Sequence, residues 1–252
     1  MKAIILAGGY AVRLLPLTKH IPKPLLPVAG KPVIDYIIDQ LNQIPGIDKI
    51  VVSTNRYYEN NFRYWLQGLS NQAVEIKVVC ECTQNEKEKL GAVAALQYVM
   101  QSEALENEDL LVVAGDNIFE FSLLDFVNCY KKYHKTLLAL CDFCDRDIDD
   151  LRRFGLGIID EHQKLIGFQE KPRVPRSSLV ATGCYLYPPD IQSFLLAYLR
   201  DKNNPDAPGY FIEWLYQRVD VYAYISKQTW YDIGSLESYD SVNEYYKNKL
   251  VK

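Results

Sequence analysis

A continuous apolar run over residues 3–7, ended by Gly8-Gly9, constrains this chain more than any other feature. A short run with no polar alternation marks a strand covered on both faces, and such strands belong to parallel sheets flanked by helices. The sequence that follows supplies those helices. Val33, Ile34, Ile37, Ile38, Leu41 and Ile44 recur at three and four residues after Pro32, which suits a first helical turn. The pattern then predicts a strand over 49–54, an aromatic amphipathic helix over 60–69, a strand over 75–80 and a helix over 91–101. Another buried strand follows at Leu110–Ala114, and Ser122 with Asp125 reads as a capping box before Phe126, Val127 and Tyr130. A strand over 136–141 completes this half. Alternation of this kind predicts an α/β fold with a mostly parallel central sheet.

Beyond residue 150 the texture changes. Residues 156–160, 165–169, 180–187 and 219–226 read as strands, with helices over 191–199 and 211–217, so a smaller mixed β lobe is expected beside the first. No Gly/Ser linker divides the chain and no repeat of 20–50 residues recurs, so a single domain over 1–252 is the economical reading.

Charge is distributed unevenly. The formal net charge is −4, whereas a nucleic-acid binder is normally basic over its domain. Yet residues 1–34 carry Lys2, Arg13, Lys19, Lys23 and Lys31 and no carboxylate until Asp35, which implies a local anion site. The apolar runs fall far short of the roughly 20 residues of a membrane helix, so no membrane partner is expected. The six cysteines lie mostly in hydrophobic stretches of a chain large enough to bury its own core, which points to reduced thiols and a cytoplasmic location. Their spacing does not suit a zinc site.

The first loop carries the chemistry. Gly8 and Gly9 stand just past the carboxyl end of the first strand, where open α/β sheets bind ligands. Backbone N–H groups of such a turn form an anion-binding concavity, and Arg13 and Lys23 add two cations to it. Neither a P-loop nor a dinucleotide fingerprint is present.

The longer string, Leu6-Ala-Gly-Gly-Tyr-Ala-Val-Arg13-Leu-Leu-Pro16-Leu-Thr18, then Lys23-Pro-Leu-Leu-Pro27 and Lys31-Pro32, resembles the signature of the sugar-1-phosphate nucleotidyltransferases, in particular the glucose-1-phosphate thymidylyltransferase-like group. The resemblance continues, in order, through Gly115-Asp116-Asn117, Phe154-Gly155, Glu170-Lys171-Pro172, Thr182-Gly183-Cys-Tyr185 and Trp230-Tyr-Asp232-Ile-Gly234. It implies a three-layer Rossmann-like nucleotidyltransferase fold. The nucleotide-binding lobe would span roughly 1–150, the sugar-binding lobe 151–234, and a C-terminal helix 235–252.

It also implies that a nucleoside triphosphate and a sugar 1-phosphate are joined to give a nucleotide sugar and pyrophosphate. Guanylyl, uridylyl or cytidylyl transfer to another phosphorylated sugar or alcohol is the alternative, as is a non-catalytic nucleotide-sugar-binding regulator. By the same resemblance Leu6, Ala7, Gly8, Gly9, Arg13, Lys23, Gly91 and Asp116 bind the nucleotide. Arg13, Lys23 and Asp116 are catalytic, and Asp116 and Asp232 hold Mg2+. Glu170 and Lys171, the backbones of Gly155, Thr182 and Gly183, and Tyr185 lining the pocket form the sugar-phosphate site. The chain departs from the family in Tyr10-Ala11-Val12, which lacks a hydroxyl before Arg13. It departs again between Cys82 and Gly91, where a Gln followed closely by a Gly is usual. Helically spaced tyrosines such as Tyr57, Tyr58 and Tyr64 are core edges or the contact of a homo-oligomer.

Overall fold

The computed structural model describes residues 1–69, 73–144 and 147–250. Its first half runs β1 (Lys2–Leu6), β2 (Pro27–Val28), β3 (Lys31–Pro32), α1 (Val33–Leu41), β4 (Lys49–Asn55), α2 (Glu59–Gly68), β5 (Glu75–Glu81), α3 (Ala92–Ser102), β6 (Leu110–Ala114), β7 (Asn117–Phe119), α4 (Leu123–Tyr133) and β8 (Thr136–Asp142). The second half adds α5 (Ile148–Leu151), β9 (Gly155–Ile159), β10 (Leu165–Glu170), β11 (Leu179–Tyr187), α6 (Ile191–Arg200), α7 (Pro208–Leu215), β12 (Val221–Ser226), β13 (Trp230–Asp232) and α8 (Leu236–Leu250). The expected C-terminal helix is thus present to Leu250, and its last two residues lie outside the described ones.

Strand β1 sits between β4 and β6, parallel to both, and β5 extends the sheet beyond β4. The reason is visible in β1 itself. Ala3 and Ile5 pack on one face with Ile34, Ile37 and Ile38 of α1, while Ile4 packs on the other with Val93, Leu96 and Val99 of α3. All three β1 residues are fully buried, which is what an unbroken apolar run requires.

The second half joins the same sheet directly. Strand β11 pairs antiparallel with β6, β8 and β9, β10 pairs with β9, and β12 lies parallel to β8. Two small antiparallel pairs, β2 with β3 and β7 with β13, stand off this main sheet. The Ser122 cap forms as expected, its Oγ accepting the Asp125 N–H at 3.1 Å. Helix α7 differs from the 211–217 expectation: it starts at Pro208, whose fixed φ and missing N–H suit a first turn. Among the described residues no helix is long and apolar enough to cross a membrane.

Candidate active site

Parallel strands deliver their carboxyl ends to one edge of the sheet, and the loops that leave β1, β5 and β6 meet there beside Ser53 of β4. They line a cavity of about 370 Å³. All eight residues expected to hold the nucleotide, Leu6, Ala7, Gly8, Gly9, Arg13, Lys23, Gly91 and Asp116, face this one space. The first loop is held in shape from outside. Asn55 at the end of β4 donates to the Gly8 carbonyl at 2.9 Å, and the Thr18 hydroxyl donates to the Ala11 carbonyl at 2.9 Å. Gly9 has open space where a Cβ would sit. The left-handed backbone of this loop falls on Ala11, with φ +46°, and not on either glycine.

Lys23, although it stands in a Pro-rich loop, is only 8% exposed. Its Nζ lies 2.6 Å from Asp116 Oδ2 and 3.8 Å from Asp232 Oδ1. The two aspartates meet because β7 pairs with β13, setting Asn117 opposite Asp232, and because the Ile233 N–H donates to the Asp116 carbonyl at 3.1 Å. Asn117 steadies Asp116 by donating to its Oδ1 at 2.8 Å, and Trp230 Nε1 in turn donates to Asn117 Oδ1 at 2.8 Å. Burial raises the Asp232 carboxyl above its usual range against the pull of Lys23, and the neighbouring Asp116 charge pushes the same way. Arg153, which sequence reasoning missed, adds a cation whose field reaches Asp232. Arg13 is exposed at the cavity and makes no ion pair among the described residues.

The expected sugar-phosphate residues lie outside this cavity, and the structure divides them. Glu170 at the end of β10 lies beside Gly155 and Gly209, where any Cβ would collide with its carboxyl or with Phe168. Lys171 Nζ stands 3.7 Å from Glu170 Oε1. Gly183, with φ +75°, abuts Ala114 just ahead of Asp116. Thr182 and Tyr185 turn inward instead. The Thr182 hydroxyl donates to the Ala139 carbonyl at 3.2 Å in a fully buried position, and Tyr185 is 4% exposed, its ring stacked on Tyr187. Their side chains act as core: Thr182 is fully buried, and Tyr185 shares an apolar cluster with Leu195 of α6 and Phe211 of α7.

Burial pushes the Glu170 carboxyl up to about 7, while the Lys171 ammonium pulls it down. A carboxyl with a raised folded value costs stability once it ionises: nothing below about 4.5, an increasing amount up to about 7, and the full cost above. Glu170→Gln is therefore expected to stabilise the protein at pH 8 by on the order of 3 kcal/mol and to gain nothing at pH 4.5. Denaturant melts at the two pH values check this, and an equal shift at both would remove the burial argument.

Sequence reasoning also missed Ser53, Glu81, Lys89 and Asp206, all of which line the cavity. Lys89 pairs with Glu86 at 2.7 Å and with Asp206 at 2.8 Å, tying two loops across the cavity wall. Gly91, with φ +83°, starts α3 under that tie, and a Cβ there would lie 2.5 Å from the Pro205 carbonyl oxygen. Glu81 closes β5, a strand that also carries Glu75 and Lys77, and Ser53 lies within β4, so nothing local singles either out. Lys89 and Asp206 sit in loops, whose folding back over the cavity has no local sequence mark.

Among solved structures, a Bacillus anthracis protein provisionally assigned as a glucose-1-phosphate thymidylyltransferase, in complex with a sucrose, superposes with a TM-score of 0.84. It is 26% identical, covering 98% of this chain and 96% of that one. A UTP--glucose-1-phosphate uridylyltransferase of Haloferax volcanii is 31% identical over 198 residues, 76% of this chain and 73% of its own length. A Sulfolobus acidocaldarius protein provisionally named a mannose-1-phosphate guanyltransferase is 31% identical over 245 residues, 96% of this chain. The chain spans 62% of that relative's length, and 61% of the length of a Synechocystis UTP--glucose-1-phosphate uridylyltransferase that is 26% identical. The sequence pattern of the nucleotidyl transferase family matches residues 2–249, and with the Gly-Gly loop, Lys23 and the two aspartates gathered at one sheet edge, the chain belongs to that family.

Proposed function

We propose that the protein transfers a nucleotidyl group from a nucleoside triphosphate to a sugar 1-phosphate, releasing pyrophosphate. The observation that carries this is the meeting of Lys23, Asp116 and Asp232 at the edge of a cavity lined by the Gly8-Gly9 loop and Arg13. In the reaction a sugar-phosphate oxygen attacks the α-phosphorus, a new P–O bond forms, and the bond to the β-phosphate oxygen breaks. Two anions must be brought into line and the leaving charge stabilised. The Gly8 and Gly9 main chain seats the triphosphate, Arg13 meets the leaving phosphates, and Lys23 holds charge at the reaction centre.

Asp116 and Asp232 fit a divalent cation of the Mg2+ type. Both already face one cation, the Lys23 ammonium, and Mg2+ needs few protein carboxylates when phosphates and water complete its shell. Among the described residues no group of three or more His, Cys, Asp and Glu gathers that could hold a metal ion. Bound there, Mg2+ would neutralise phosphate charge as a Lewis acid. On the sugar side, Glu170, when ionised, accepts sugar hydroxyls and Lys171 meets the sugar phosphate, with Gly155 and Gly183 leaving room. Pyrophosphate release should require a nucleoside triphosphate, a sugar 1-phosphate and Mg2+ together. Nucleotide-sugar binding without release across a broad substrate matrix would favour the regulatory reading.

A further inference from the structure

Asp232 has a second cation near it besides Lys23. Its Oδ1 lies 3.8 Å from Lys23 Nζ, and Lys23 lines the cavity. Its Oδ2 borders a space shared with Arg153, which is not part of that lining: a Cβ on Gly234 would run into Asp232 Oδ2 and stand 3.3 Å from Arg153 Nη2. Gly234 keeps this space open, and no ion pair between the two groups closes it. Arg153 is also loosely engaged. The neighbouring Arg152 donates to Asp149 at 2.6 Å and to the Arg173 carbonyl at 3.0 Å. The one ion pair of Arg153 among the described residues is a 3.9 Å approach to Asp150, with its side chain 44% exposed. A guanidinium carries five donors in a planar fork, so most of this one's capacity is unused. The group is nonetheless aimed. Its carbon lies 5.9 Å from the centre of the Phe154 ring, and that ring packs edge-on against Trp230, which holds Asn117 and through it Asp116. The next residues lead to the sugar side: the Phe154 carbonyl accepts the Lys171 N–H at 3.1 Å, and Gly155 lies against the Glu170 carboxyl. Arg153 thus joins the aspartate pair to the Glu170–Lys171 pair.

We propose that Arg153 binds the phosphate of the sugar 1-phosphate, its guanidinium gripping two of the three terminal oxygens so that the third is left to attack the α-phosphorus. This rests on the nucleotidyl-transfer reading of the site. A phosphate monoester brought beside Asp116 and Asp232 meets two carboxylates, and it needs a cation that they do not already hold. Lys23 is held by both aspartates, and Lys171 stands 3.7 Å from Glu170. Each is a point charge, whereas an arginine fork matches two phosphate oxygens at once.

The first measurement uses the wild-type protein and needs no variant to fold. Arginines are labelled with phenylglyoxal and mapped by mass spectrometry in the presence of a panel of sugar 1-phosphates, the unphosphorylated sugars, or nucleoside triphosphates with a non-cleavable α,β-methylene bridge. A sugar 1-phosphate, alone or added after the triphosphate, should protect Arg153, while the free sugar should not. The triphosphate alone should protect Arg13 and leave Arg153 reactive. Arg153 labelling that no sugar 1-phosphate lowers overturns the inference, as does equal protection by the triphosphate alone. In turnover, Arg153→Ala should raise KM for the sugar 1-phosphate roughly ten- to a hundredfold, the scale of losing charge-assisted hydrogen bonds. KM for the nucleoside triphosphate should stay within about twofold of wild type, because uniform binding of that substrate is untouched. Arg153→Lys, which keeps the charge and loses the fork, should fall between. A shift confined to the triphosphate, or an equal shift in both KM values with a lowered Tm, would make Arg153 a leaving-phosphate or structural residue and overturn the inference. If Arg153 is protected but no pyrophosphate appears, phosphate binding stands and transfer fails. If pyrophosphate appears with Arg153 unprotected, the transfer reading stands alone.

Discussion

Lys23→Ala is expected to lower turnover at saturating substrates by roughly a hundredfold or more, the scale of losing a preorganised charge aimed at a developing anion. Lys23 reaches that role through position, since its side chain is buried and its Nζ lies within 4 Å of both aspartates. The same geometry gives the substitution a cost in stability. Removing the ammonium leaves Asp116 and Asp232 facing each other without their cation. Breaking a buried pair costs about 3–5 kcal/mol, but the Asp116 side chain is 34% exposed, which screens part of this. A loss of about 2 kcal/mol is expected, seen as a fall in Tm of roughly 4–8 °C for a chain of this length. Turnover and melting must therefore be measured on the same sample. Wild-type turnover in a folded variant would remove Lys23 from the mechanism.

Asp116→Asn and Asp232→Asn should each need much more Mg2+ and lose turnover, with the double variant little worse than the worse single one. The reason is electrostatic. Two phosphates approaching for in-line attack repel each other, and a bridging divalent ion is worth several kcal/mol to that approach. Neither aspartate supplies enough ligands alone, so removing either charge disables the pair, and residues that act as a unit do not add. Asn keeps the shape, which preserves the β7–β13 pairing that sets Asp232 beside Asp116. Additive losses in a Mg2+ titration would mean the two carboxylates work at separate places.

Much of the site was legible before folding was considered. The buried strand, the Gly-Gly turn and the cations around it share one short stretch, so their chemistry and proximity are written locally. Glu170 and Lys171 read locally as a solvated turn, and only the longer resemblance marks them. Whether the Thr182 and Tyr185 side chains point to solvent or to core was not legible either, because helices of both halves cover the faces of β11 and no local pattern encodes that packing.

The sequence by itself determined the layered α/β architecture, because apolar periodicity dictates which residues must leave water, and it determined the Gly-Gly loop with its cations, because these groups share one short stretch of chain. Only the tertiary structure decided the rest. Asp116 and Asp232 meet through a strand pair formed across more than a hundred residues, and no local pattern encodes that register. Lys23 became a buried counter-cation for the same reason. Glu81 gained its place because β5 ends level with Gly8, so that a carboxylate unremarkable in the chain closes the cavity floor. Local chemistry lists the groups a site can use, and long-range pairing determines which of them face one another.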